Sequence, residues 1–291
     1  MDLSARVRFV QVSGIRTRIV EAGSPKARGG AIVLLHGIGL SADCWLRNFE
    51  PLAQDHFVVA PDLIGHGHTD HTGFGETPPQ IALAAHVVAL CRVLQLSQCT
   101  VVGSSLGGLV AALAYFAASD IVRGLVFVGS GSIFNSPETH RNTMQASLQN
   151  ALPAFREPTL ASCRRRLQNI VRDPDSIPDA LIWSQATSNA LSDRALAFEE
   201  VVTGSAATAD TPGALVSTRL RLVEVPVLLI AGRQDIRTAW QQQVDGVASF
   251  SDAELVLYEE CGHLPFIEHP SRFNPDVLRF INQKVQRPKH A

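Results

Sequence analysis

Short, continuously apolar runs recur along the chain, each the length of a β-strand and each separated from the next by a longer segment. The runs are 31–35, 57–60, 99–102, 124–128, 226–231 and 255–258. Segments 44–53, 81–94, 106–117, 239–247 and 274–285 read as helices between or after them. A strand buried on both faces has no polar side to show, so it is apolar throughout, and such strands alternating with helices imply a parallel sheet covered on both faces. An antiparallel hairpin precedes them: 7–12 and 16–20 alternate polar and apolar residues and flank Ser13-Gly14. The rhythm breaks between 132 and 220, which holds no buried-strand run and reads as helices interrupted at Pro153, Pro158, Pro174 and Pro178. This segment is a helical insertion between two parts of one core, 1–131 and 221–291.

The composition excludes several functions. With 46% hydrophobic and 18% charged residues in 291, the chain is of the globular type. Its 25 basic and 27 acidic residues leave a net charge of −2, and its longest basic block is Arg164-Arg165-Arg166, so nucleic acid is not an expected partner. That triplet reads as a solvated helix face. No apolar run approaches the roughly 20 residues of a membrane helix, and residues 1–7 lack a basic region followed by an apolar one, so a cytoplasmic protein is expected. Five cysteines without a C-x-x-C pair read as free thiols. The oligomeric state stays open between monomer and homodimer.

Chemistry is concentrated where strands end. Gly103-Ser104-Ser105-Leu106-Gly107 spells G-x-S-x-G directly between a strand and a helix, a turn so tight that its neighbours must be small and its serine hydroxyl stands clear of the sheet. A serine needs a base to take its proton and a carboxylate to orient that base. Asp235 follows the strand at 226–231 and His263 the strand at 255–258, so all three residues sit at the strand ends where open α/β sheets bind ligands. Capping by Ser105 or Asp235 and an ordinary loop role for His263 are the plainer readings of each residue alone; their joint placement favours the chemical one. His36-Gly37-Ile38-Gly39 ends another strand, and the N–H groups of Ile38 and Leu106 are candidates for an oxyanion hole, with His36 supporting the loop.

These residues, with Asp62-Leu63-Ile64-Gly65-His66-Gly67-His68-Thr69 and Gly262-His263, resemble the α/β-hydrolase fold family across nearly the whole chain. The resemblance implies a mostly parallel eight-stranded sheet with helices on both faces and a helical cap after the sixth strand, where the insertion lies. It also implies acyl transfer by Ser105 with no cofactor. The stretch 173–182 is similar to the meta-cleavage product hydrolases, which break a C–C bond of ring-fission products. Three positions depart from that group: Ser104 replaces the Asn before the nucleophile, Gln185 falls near the cap Arg, and Phe266 stands three residues after the base in place of Trp. Because Gln cannot replace a guanidinium against a carboxylate, a serine hydrolase of small, largely apolar esters or lactones is expected first and a C–C hydrolase second.

Two other readings compete. His66-Gly67-His68-Thr69-Asp70-His71 also spells the H-x-H-x-D-H of dinuclear zinc hydrolases, although the surrounding elements fit the alternating sheet better. The fold also serves non-catalytic binding proteins. Candidate substrate contacts are Gly39, Trp45, Ser104, Trp183, Gln185, Leu264 and Phe266; for Trp45, Trp183 and Leu264, packing roles are equally expected. Cys261, beside the candidate base, reads as a small buried hydrophobe, and Arg233 as a flank of the Asp235 loop.

Overall fold

The computed structural model describes residues 5–286; residues 1–4, part of the start read above for a leader, lie outside that range. Eight strands form one sheet in the order β1-β2-β4-β3-β5-β6-β7-β8. They are β1 (Arg6–Val12), β2 (Ile15–Ala22), β3 (Ala31–Leu35), β4 (Phe57–Pro61), β5 (Cys99–Ser104), β6 (Val122–Val128), β7 (Val227–Gly232) and β8 (Ala253–Tyr258). β2 pairs antiparallel with both β1 and β4, and every other pairing is parallel. The six apolar runs are thus the parallel strands, and the hairpin forms one edge. β3, β4, β5 and β7 are buried along their whole length, the physical reason their sequences lack alternation.

Helices α1 (Phe49–Leu52), α2 (Pro79–Val93) and α3 (Leu106–Ala117) lie between the early strands. The interval between β6 and β7 holds α4 (Pro137–Arg156), α5 (Leu160–Gln168), α6 (Asp179–Asn189) and α7 (Arg194–Ala207). Helices α8 (Trp240–Gly246), α9 (Pro265–Glu268) and α10 (Pro270–Phe280) follow. Successive strand residues feed opposite faces. Ile32 and Leu34 of β3 pack with Trp45, Phe266 and Phe273, while Val33 and Leu35 pack with Leu83, Leu109 and Leu113 of α2 and α3.

Three expectations are corrected. Residues 44–53 are not one helix but a 3-10 turn, Ala42–Trp45, followed by the short α1. The break is held by buried Asn48, whose Nδ2 donates to Phe266 O (3.2 Å) and Asn274 Oδ1 (2.8 Å). Helix α10 starts at Pro270, earlier than expected, and passes into one π-turn, Ile281–Val285. Pro153 sits inside the last turn of α4 without ending it. The carbonyl left without its helical donor belongs to Gln149, an exposed residue.

Two histidines far from the strand ends make stability depend on pH. His86 Nε2 lies 2.9 Å from Thr17 Oγ1 and His140 Nε2 lies 2.8 Å from Ser205 Oγ. Burial pulls both down to about 4 from an ordinary 6.5, with Arg141 adding to the effect at His140. The unfolded chain therefore binds more protons than the folded one between these values, and stability is lost as pH falls through that window, by up to about 3 kcal/mol per histidine. Thermal melts between pH 7 and 4 are expected to show a falling midpoint, and His86→Gln a shallower fall. An unchanged slope in the variant would contradict the assignment.

Candidate active site

A single residue turns the chain from β5 into α3. Ser105 adopts φ 53° and ψ −118°, a conformation that costs on the order of 1–3 kcal/mol and persists only where the surroundings enforce it. Its N–H donates to Val128 O (3.0 Å) and its carbonyl accepts from Ser132 Oγ (2.8 Å). A Cβ on Gly107 would stand 2.4 Å from Leu35 O and 2.6 Å from His36 O, backbone atoms of β3 and its following loop, which is why the pentapeptide ends in glycine. Among the described residues the Ser105 hydroxyl makes no hydrogen bond to protein.

His263 and Asp235 meet as the sequence predicts. His263 Nδ1 lies 2.8 Å from Asp235 Oδ2, with side-chain exposures of 7% and 0%. The other carboxylate oxygen, Oδ1, accepts from the N–H groups of Arg237 (2.7 Å) and Thr238 (3.0 Å). An ionised carboxylate only accepts, so this contact places the ring proton on Nδ1 and leaves Nε2 free to receive another. No hydrogen bond joins Ser105 Oγ to the ring, but Ser105 and His263 line the same pocket.

The His263 loop is held by a residue that no sequence signal announces. Glu268 accepts from the N–H groups of Arg172 (2.7 Å), Gly262 (3.0 Å) and Leu264 (3.2 Å), while His263 N–H donates to Ile170 O (2.9 Å). The loop carrying the histidine is thereby tied to the segment joining α5 to α6. Cys261 is fully buried, and burial followed by nearby Glu268 pushes its thiol up, as befits an inert side chain. Arg233 pairs with Glu259 at the surface (3.1 Å).

Ile38 and Leu106 also line the pocket. The Leu106 N–H opens α3 and has no intrahelical acceptor, and the Ile38 N–H is taken by no protein group among the described residues. His36 supports the loop between them: Nε2 accepts from Leu63 N (3.0 Å) and Nδ1 lies 2.8 Å from Gly37 O. The 62–69 turn is likewise a brace. Buried Asp62 accepts from Ala42 N (2.7 Å) and His68 N (2.8 Å) and pairs with Arg18 (3.2 Å). Its histidines are not assembled. His66 Nδ1 meets Ile64 O, His71 Nε2 meets Glu200 of α7, and Asp70 is exposed. Among the described residues no three His, Cys, Asp or Glu side chains are grouped to hold a metal.

Of the expected substrate contacts, Ser104 and Leu264 line the pocket and five do not. Trp45 and Phe266 are fully buried against each other, ring centres 4.0 Å apart, in the layer beneath the sheet. Trp183 points outward and is 59% exposed. Gln185 is buried but engaged with Arg166, and Gly39 makes room for that same guanidinium. Arg166 itself is the main surprise: not part of a solvated face, it is 4% exposed and lines the pocket, while Arg164 does face solvent and pairs with Asp179. A buried cation thus stands in the wall of the pocket, where no charge is expected from the sequence. Its walls also include Ser132, Thr143, Ser147, Asn150 and Arg237. Most come from α4 and α5, where helical amphipathicity does not tell a pocket-facing polar side from a solvent-facing one.

The arrangement can deliver a serine oxygen to a carbonyl carbon, accept the serine proton at a carboxylate-oriented imidazole and meet the resulting oxyanion with two N–H groups. Comparison with known proteins identifies the fold family. A model of the α/β-hydrolase fold family matches residues 30–270. A 2-hydroxy-6-oxononadienedioate/2-hydroxy-6-oxononatrienedioate hydrolase of Paraburkholderia xenovorans is 28% identical over 86% of this chain and 86% of its own. The solved 2-hydroxy-6-oxo-6-phenylhexa-2,4-dienoate hydrolase of a Rhodococcus strain is similar in fold, with TM-score 0.76 and 23% identity over 96% of this chain and all of that one. A serine hydrolase of Cycloclasticus zankles superposes with TM-score 0.81 at 20% identity, covering 96% and 98% of the two chains. Among the described residues no helix is long and apolar enough to cross a membrane.

Proposed function

The chain belongs to the α/β-hydrolase fold family, and within it we propose a serine hydrolase that cleaves the C–C bond beside the oxo group of an unsaturated oxo acid. The observation that carries the hydrolytic chemistry is the buried Asp235–His263 pair opening, with Ser105 and two free N–H groups, into one pocket under α4 and α5. The choice of bond rests on the relative just described, whose name specifies an oxo-dienedioate substrate and whose similarity spans most of both chains. The two arginines in the pocket wall, Arg166 and Arg237, favour an acidic substrate over an uncharged ester.

In this mechanism Ser105 Oγ adds to the oxo carbon while His263 Nε2 takes its proton. The oxyanion lies against the N–H groups of Ile38 and Leu106. The enol proton of the substrate first shifts to the carbon beside the oxo group, making that carbon sp3. As the tetrahedral carbon collapses, the electron pair of the C–C bond is delocalised through the remaining C=C into the keto acid, a carbanion that the imidazolium protonates. Water, deprotonated by His263, then releases the acyl group from Ser105. Asp235 keeps the ring in the working tautomer and supports its charge throughout. Ester hydrolysis uses the same steps with an alcohol leaving group, and Ser104, in place of the Asn before the nucleophile, favours it as the second reading.

The test is turnover of 2-hydroxy-6-oxo-6-phenylhexa-2,4-dienoate, followed by loss of its dienol absorbance, beside p-nitrophenyl esters and lactones. The proposal expects the dienoate to have the highest kcat/KM and every activity to vanish in Ser105→Ala. Ester turnover alone would move the protein to the esterases. Chelator-sensitive turnover surviving in the variant would overturn the serine mechanism.

A further inference from the structure

Three arginines are almost wholly buried among the described residues, and two have carboxylate partners. Arg18 pairs with Asp43 (2.6 Å) and Asp62 (3.2 Å), and Arg194 with Asp193 (2.6 Å). Arg166 has none. Its Nη1 donates to Gln185 Oε1 (2.8 Å), its Nη2 donates to Ile38 O (3.1 Å), and its Nε has no partner. A guanidinium carries five N–H donors, so neutral acceptors use only part of its capacity, and its charge faces no anion, only the Phe155 ring 5.5 Å away. Burial pulls Arg166 down to about 10, an effect that neighbouring Cys163 offsets in part and Arg237 reinforces. A buried cation without an anionic partner is costly, and one that lines a pocket is a candidate binding group.

The surroundings are shaped around this charge. Gly39 has φ +67°, and a Cβ there would lie 2.5 Å from Arg166 Nη2 and 3.0 Å from Phe198, so only glycine lets the loop after β3 pass the guanidinium. Arg237 brings a second cation to the same pocket. Its Nη2 donates to Ser147 Oγ (2.8 Å), its Nη1 to Ala146 O (3.4 Å), and no carboxylate pairs with it among the described residues. Asp235, whose charge attracts Arg237, spends its oxygens on His263 and two backbone N–H groups.

We propose that Arg166, with Arg237 adding charge, is the carboxylate-binding subsite of this pocket, so that the substrate is an organic anion held against α5 while its oxo carbon lies over Ser105. This deepens the proposed function and rests on it for the reaction, but not for the binding. A planar carboxylate suits a guanidinium, which meets it with two parallel N–H bonds. The alternative role, a brace for the Ile38 carbonyl, weakens charged and neutral ligands alike, which the following comparison separates.

The probes are 2,4-hexadienoate and its neutral isostere 2,4-hexadienamide, titrated calorimetrically into the full-length protein, with inorganic phosphate as a third ligand. The wild-type protein is expected to bind the acid about 10- to 100-fold more tightly than the amide and to bind phosphate more weakly than the acid. Arg166→Gln is expected to bring acid and amide to similar affinity, and Arg237→Gln to narrow the gap. Equal affinity for acid and amide in the wild-type protein overturns the proposal whether or not the variants fold, as does an unaltered preference in Arg166→Gln. Phosphate binding at least as tight as the acid also overturns the carboxylate assignment. Labelling of Ser105 by a neutral fluorophosphonate is read in parallel. Labelling without acid preference removes the subsite and leaves the proposed function standing, whereas acid preference without labelling does the reverse.

Discussion

Ser105→Ala is expected to lower kcat by about 10⁴- to 10⁶-fold, the range seen when a serine nucleophile is removed, while leaving the unfolding midpoint in place. Both halves follow from the turn. The positive φ of Ser105 is imposed by the strand behind it and the helix ahead, and alanine keeps the same Cβ in the same strained conformation. The hydroxyl that is lost makes no protein hydrogen bond among the described residues, so no buried partner is orphaned. What disappears is the oxygen that attacks. Initial rates on the best substrate, paired with thermal melts, check the prediction. A variant with a substantial share of wild-type activity would dismiss Ser105 as nucleophile, and a large fall in midpoint would show that the hydroxyl has a structural partner.

Asp235→Asn is expected to cost about 10⁴-fold in kcat with little change in fold. Oδ1 accepts from the N–H groups of Arg237 and Thr238, which fixes the amide oxygen of an asparagine at that position. The amide nitrogen then faces His263 Nδ1 and donates to it. The ring proton moves to Nε2, the atom that must accept from Ser105, and the base is lost although every side chain keeps its place. Kinetics across pH 6–9 distinguish this from simple loss of charge: a wrong tautomer leaves kcat low over the whole range. Activity near the wild-type level in Asp235→Asn would mean that another group orients the imidazole.

The frame of this site was legible in the sequence because backbone geometry restricts residue type there. Only a small residue fits at Gly107, only a short apolar run makes a strand buried on both faces, and Asp235 and His263 follow such runs directly. The pocket walls were not legible. Trp45 and Trp183 look alike as aromatic residues near likely ligand sites, yet one is sealed beneath the sheet and the other faces solvent. Arg164 and Arg166 are two positions apart on α5, about 200° around the helix, so one meets water and the other the pocket. Which of them turns inward depends on how α5 packs against Ile38 and Gln185, contacts distant in sequence. Glu268 was missed for the same reason, since its partners are backbone N–H groups of loops that sequence does not bring together.

The central claim, that Ser105 attacks a carbonyl carbon in a site assembled by Asp235 and His263, is tested most directly by trapping its covalent intermediate. The protein is mixed with p-nitrophenyl acetate, quenched in acid within the first turnover and mapped by peptide mass spectrometry. The account predicts the mass of one acetyl group on the peptide containing Ser105, with fragment ions placing it on that residue, and its absence in Asp235→Asn. Acetylation confined to another nucleophile, or turnover with Ser105 never modified, would contradict it.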